Sequence, residues 1–311
     1  MRDDNLIGNQ VAAAAQNLEA RDYWLSKLEG ELVKTMFPRD YKTGKQDGQN
    51  TPFETITFDF TGEMFQQLMK LSNGYDYTLH MILTAAVAVL LEKYSGSRDI
   101  IVGAPIYKQE VSASFINTIL AIRAKVEPQL TFKELLMQVR QTFLEATKNQ
   151  NYPIESLLYQ LNIESNPDEF PLFDIAVLLE NIHDKEYIRD IPINMFFSFL
   201  RTEDAVKGKI EYNPALYDGE LIERSIAHLK YFMQKTLFNH DAKAKEVDIL
   251  TEEEKKKLLH DFNQTRREYP TGKTLGELFE TQACKQPEAI ALWFDGERMT
   301  YGELNRKSYA L

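Results

Sequence analysis

The chain has 311 residues, 43% hydrophobic and 27% charged, with 36 basic against 47 acidic side chains and a formal net charge of −11. This composition is too apolar for a disordered chain and leaves room for a large core and more than one domain. The acidic balance argues against a nucleic-acid backbone as the main partner, because phosphate binding needs a basic footprint. The single cysteine, Cys284, cannot form an internal disulfide and fits a reducing, cytoplasmic setting. The longest apolar stretch, Met81 to Leu91, is interrupted by Thr84 and is far short of the ~20 residues of a membrane span.

Residues 1–22 read as weakly structured, with a short amphipathic helical turn starting at Tyr23-Trp24-Leu25. Residues 38–52 hold most of the early Gly, Pro, Lys and Gln and read as a mobile loop. From Glu54 to Phe60 the pattern alternates, with Ile56, Phe58 and Phe60 on one face, which predicts a half-buried strand. Helices are predicted over 62–72 and 79–94, the second apolar nearly all round and therefore a core helix. Strands follow at 99–105 and 116–126. Thr131 and Glu134 form a capping box for a helix that Asn151-Tyr152-Pro153 breaks, and a shorter helix covers 154–161. Strands at 172–180, 191–200 and 206–213 lead to a long amphipathic helix through Leu221, Ile226, Phe232 and Leu237. The order predicts an α/β fold with a mixed sheet and flanking helices.

Residues 241–268 are rich in Lys and Glu, and Thr251-Glu252 starts another helix, so this stretch reads as an interdomain linker with a solvated helix face. The segments beyond it, Leu275 to Phe279, Pro287 to Leu292 and Met299 to Asn305, read as the opening of a second domain too short to close.

Little in the chain identifies a self-contained catalytic centre. His80, His183, His228, His240 and His260 include no pair spaced as a metal site on one helix face, and there is no cysteine cluster, so no metal is expected. Each histidine reads as a packing or surface residue. Thr271-Gly272-Lys273-Thr274 imitates a phosphate loop but lacks the upstream glycine, where Arg267 stands.

The ordered landmarks resemble a known family. They are Tyr94-Ser95-Gly96 with Asp99 to Pro105, Phe115-Ile116-Asn117-Thr118 with Arg123, Asn149 to Glu155, Pro171 to Ile175, and Glu211-Tyr212-Asn213 with Leu216-Tyr217-Asp218. Together they resemble the C-terminal half of a condensation domain of nonribosomal peptide synthetases. The 275–279 and 299–305 segments resemble the start of an adenylation domain. The resemblance implies a chloramphenicol-acetyltransferase-like half-domain over 1–246, a linker over 247–268 and a truncated adenylation start over 269–311. It also implies that two such halves face each other across a tunnel. Carrier proteins bring 4'-phosphopantetheine arms into it, an amine attacks a thioester, and no cofactor is bound directly. The implied partners are carrier proteins, the N-terminal half of the domain and the remainder of the adenylation domain, with no nucleic acid and no membrane.

The family's His-His-x-x-x-Asp-Gly motif is absent from this chain, which carries no His-His pair. The group best suited to proton transfer near neutral pH would come from the other half, so no catalytic residue is assigned and the chain is expected to be inactive alone. The stretch Ile106 to Ser114 is shorter than in the family and lacks its arginine and glycine. Candidate tunnel residues are Asn117, Thr118, Arg123, Asn151, Tyr152 and Pro153. Each keeps a structural reading beside the functional one: turn satisfaction for Asn117 and Thr118, an ion pair for Arg123, and a helix break for Asn151-Tyr152-Pro153. A non-catalytic docking or scaffold module of the same fold is the alternative, and a stand-alone acyltransferase is a weaker third reading.

Overall fold

The computed structural model describes residues 17–39, 52–109, 117–164, 166, 169–239, 241–243, 246–265, 267–268 and 272–310. Most of the predicted 38–52 loop, the 110–116 stretch with Phe115 and Ile116, Asp168, His240 and Thr271 lie outside them. The chain divides into two units, Met1–Glu252 and Glu253–Leu311.

In the first unit, helix α1 (Leu18–Lys27) precedes an extended segment. Strand β1 (Glu54–Thr61) then leads through helices α2 (Gly62–Ser72) and α3 (Asp76–Ser95) to strand β2 (Asp99–Pro105). β3 (Ile119–Lys125), α4 (Phe132–Lys148), α5 (Ile154–Gln160) and β4 (Ile175–Leu179) follow. β5 (Met195–Arg201), β6 (Ala205–Tyr212) and α6 (Gly219–Phe238) complete the unit. The six strands form one mixed sheet in the order β1-β6-β5-β4-β2-β3. β2 and β4 run parallel, as do β4 and β5, while the other neighbours are antiparallel.

Local rules account for most of the elements. α3 is apolar on every side and is buried from Leu79 to Leu91, as expected of a core helix. No single helix among the described residues is long and apolar enough to cross a membrane. Thr131 and Glu134 make the reciprocal capping box that starts α4. β1 buries Phe58 and Phe60, half-buries Ile56 and exposes Thr57 and Asp59 between them. Phe58 lies over Gly208 of β6, where a Cβ would meet the ring at 2.4 Å, so that cross-strand site requires glycine.

The centre of the sheet holds a feature that no local rule predicts. β2 and β4 share a single paired position, Gly103 with Ala176. At the amino ends of these strands Thr35 is wedged between them. Its N–H donates to the Leu172 carbonyl at 3.3 Å, its carbonyl accepts from Asp174 N–H at 2.9 Å, and its hydroxyl accepts from Ile101 N–H at 2.8 Å. The Leu172 carbonyl and the Asp174 N–H are committed to this wedge, and β4 therefore begins at Ile175 rather than at 172.

In the second unit, α7 (Glu252–Lys256) continues into a π-helical turn, Lys257–Asp261. α8 (Leu275–Lys285) and α9 (Tyr301–Tyr309) both start on capping boxes, Thr274 with Glu277 and Thr300 with Glu303. Between them β7 (Ile290–Phe294) and β8 (Glu297–Thr300) form a hairpin turned by Asp295 and Gly296, both at positive φ, as a two-residue turn demands.

Candidate functional site

Five of the six predicted site residues come together at one end of the sheet. The carboxyl ends of β2 and β4, the amino end of β3, the amino end of α3 and the carboxyl end of α4 meet there. In an open α/β sheet this is the end where ligands usually bind. Asn117 holds the corner between α4 and α5. Its Nδ2 donates to the Gln150 carbonyl at 2.7 Å and to the Tyr152 carbonyl, and its Oδ1 accepts from Ile154 N–H at 2.9 Å. Ile154 opens α5, and Pro153 before it offers no side-chain cap, so Asn117 satisfies an orphan helix donor from a distance of 37 residues in sequence.

Tyr152 and Pro153 are buried, and the Tyr152 hydroxyl accepts from Gln160 Nε2 at 2.8 Å. Thr118 is half-buried and its carbonyl accepts from Ile106 N–H at 3.1 Å, while Asn151 is exposed. The crossing helix α1 docks on the same corner through Trp24, whose indole N–H donates to the Asn149 carbonyl at 2.8 Å.

Arg123 lies apart from this group. Its Nε and Nη2 grip both oxygens of Asp99 on β2 at 2.8 and 2.5 Å, and its Nη1 donates to the carbonyls of Lys27 and Glu29 at 3.0 and 2.9 Å. The bond to Asp99 holds the guanidinium pKa above its ordinary value. This ties β3 to the segment leaving α1, beside a cleft of about 670 Å³ that is also lined by Tyr23, Lys27, Thr142 and Glu145. Asn117 and Arg123, an even number of residues apart, enter separate networks because Asn117 precedes the strand.

The site end also holds residues that no sequence pattern marks. His80, in the first turns of α3, and His183, in the turn after β4, lie with ring centroids 4.4 Å apart and are 0% and 2% exposed. Phe143 of α4 packs on His80, and Tyr107 stacks on His183 with Tyr77 against its edge. Burial pushes His80 down to about 4 and His183 down to about 2, the second also through its neighbour His80. Burial likewise raises Tyr107 to about 12. The two histidines are 103 positions apart in sequence, so no helical spacing could have paired them. Among the described residues no group of three or more His, Cys, Asp or Glu is arranged to hold a metal ion.

Comparison with known proteins places this geometry. The family described as Condensation domain matches residues 8–259. Gramicidin S synthase 2 of Brevibacillus brevis is 32% identical over 311 aligned residues, covering 93% of this chain but 7% of that protein. A four-domain nonribosomal peptide synthetase bound to AMP and glycine shares the fold with a TM-score of 0.72 at 15% identity, over 92% of this chain and 24% of that one. The X-domain in complex with OxyB from teicoplanin biosynthesis gives 0.64 at 15% identity, over 78% of this chain and 58% of that one. The chain thus spans a small fraction of its curated relative's length. With 252 of its 311 residues matched to one family and a mixed sheet with flanking helices beneath them, the chain belongs to the condensation domains of nonribosomal peptide synthetases.

Proposed function

We propose that this chain supplies the C-terminal lobe of a condensation tunnel, in which the amine on one carrier-bound phosphopantetheine arm attacks the thioester on another. The observation that carries this reading is the family match over 8–259 in a sequence that lacks the His-His-x-x-x-Asp-Gly motif. Attack by an ammonium requires loss of a proton, and the imidazoles near the site end cannot take it from a substrate because both are sealed from solvent. The lobe therefore orients and shields, and the proton acceptor comes from the facing lobe. Asn117 has three bonds inside the protein and acts by positioning the α4–α5 corner. The surface offered to a pantetheine arm is left to Thr118 and Asn151.

We read the second unit as the opening of an adenylation domain. Its hairpin leaves Ile290, Leu292, Trp293 and Phe294 exposed, an apolar surface that a further body would cover. A cytoplasmic location fits the free, exposed Cys284.

A second reading, a docking module without catalysis, draws support from the fold shared with an X-domain seen in complex with OxyB. Binding of carrier protein with and without its phosphopantetheine arm separates the two. The tunnel reading expects the arm to strengthen binding at least about fivefold, roughly 1 kcal/mol, and expects no peptide bond and no amino-acid-dependent ATP exchange from the chain alone. Asn117→Ala should remove most of that gain while the circular dichroism spectrum holds. Equal binding of both carrier forms would favour docking, and turnover by the isolated chain would overturn the tunnel reading.

A further inference from the structure

We propose that His80 and His183 form an acid-sensitive latch: protonating either imidazole opens the 179–183 turn and the Tyr107 bridge at the carboxyl end of the sheet.

The tautomer of each ring follows from its backbone partner. His80 Nε2 lies 3.0 Å from the Val177 carbonyl and must donate to it, so in the neutral ring Nδ1 is a bare acceptor. His183 Nδ1 accepts from Leu179 N–H at 3.0 Å, so its Nε2 carries the proton. The two nitrogens left over, His80 Nδ1 and His183 Nε2, are buried and have no hydrogen-bond partner among the described residues. One is an acceptor and the other a donor, on buried rings in edge contact, so each ring is held neutral by a single backbone bond.

A proton added to either ring puts a buried charge where no acceptor stands. On His80 Nδ1 it is buried with no acceptor among the described residues. On His183 Nδ1 it faces the N–H of Leu179 and abolishes the bond that closes the turn. The surrounding charges give no relief. Lys108, whose Nζ donates to the Glu180 carbonyl at 2.6 Å, opposes a second cation. Asp76 at the start of α3 is engaged with Arg201 at 2.8 Å, and Glu180 with Lys209 at 3.0 Å. α4 presents Phe143 to His80 and Thr147 to Tyr107, and Tyr77 completes the ring cluster.

The latch sits where its release would matter. Tyr107 and His183 form an isolated bridge, and Lys108 N–H donates to the Ile182 carbonyl at 2.8 Å. One residue back, Ile106 bonds Thr118, which adjoins Asn117. Both imidazoles have folded pKa values below the ordinary 6.5, so their contribution is complete above that pH and is lost as pH falls through and below it. The opening constant should rise by up to about tenfold per imidazole for each pH unit below the unfolded value.

Amide hydrogen exchange on the whole chain at about pH 7.5 and about pH 5.5, corrected for intrinsic rates, tests this. The amides of Lys108, Leu179 and His183 should lose at least about tenfold protection at the lower pH relative to the paired amides of β5 and β6. His80→Gln keeps a donor in the place of Nε2, and His183→Asn keeps an acceptor in the place of Nδ1. The double variant should show the same protection at both pH values. Acid sensitivity that persists in the double variant overturns the latch. So does wild-type protection that does not change. If the double variant fails to fold, the wild-type imidazole resonances decide. Titration near 6.5 with protection intact overturns the latch, and neutral rings until the turn opens support it.

Discussion

Replacing Asp174 by alanine is expected to destabilise the first unit by about 3–5 kcal/mol, the range for removing one partner from a buried charge network. The Asp174 carboxylate is fully buried beneath the Thr35 wedge. Tyr217 donates to it at 2.7 Å and Asn194 at 2.8 Å, with Lys34 and Arg39 at 3.9 and 3.7 Å. Burial first, and then this carboxylate, drives the Tyr217 hydroxyl well above its ordinary pKa, so it stays a donor at every working pH. Deleting the carboxylate leaves a buried hydroxyl and a half-buried amide without this acceptor, and leaves Lys34 and Arg39 with Glu169 as their only remaining counter-charge among the described residues. Tyr217→Phe removes one donor only and should cost about 1–2 kcal/mol. Urea unfolding followed by circular dichroism checks both, with the transition of the first unit fitted separately because two units need not unfold together. A loss below about 1 kcal/mol for Asp174→Ala would show that the network is dispensable.

Arg123→Ala is expected to cost about 2–3 kcal/mol, placed below the buried-pair range because Asp99 is a third exposed. The side chain closes four bonds, two to the carboxylate and two to the carbonyls of Lys27 and Glu29, and is itself 8% exposed. A lysine offers one ammonium and cannot span that fork, so Arg123→Lys should recover less than half of the loss. Proteolysis should locate the damage, with faster cleavage after Lys27 in Arg123→Ala than in the parent chain. Any loss of carrier-protein binding should follow the unfolded fraction alone. Weakened binding by a fully folded variant would instead return Arg123 to the tunnel wall.

These two clusters also show where the sequence was informative. α3 was legible because an all-apolar run of that length has only a core to occupy, and β1 because alternation has a period of two. The α4 start was legible because a capping box spans four residues. Each signal lies within a few residues of chain. Strand ends were less legible: the expected 172–180 strand is Ile175–Leu179, since Thr35 takes the bonds of the residues before it. The expected 191–200 strand begins at Met195, because Ile191 and Ile193 belong to the preceding turn. At the site, Asn117 was legible as a polar residue at a strand entrance, but not its three partners, which lie 33 to 37 positions away.

Composition, periodicity and short-range capping thus determined by themselves the order of helices and strands and the mixed α/β class, because each is written in neighbouring side chains. Only the tertiary structure decided that Thr35 splits the sheet, that Arg123 belongs to Asp99, and that two histidines 103 positions apart face each other in the core. Those contacts depend on how loops close and strands order, and loop closure constrains distances between residues that carry no mark of one another in the chain.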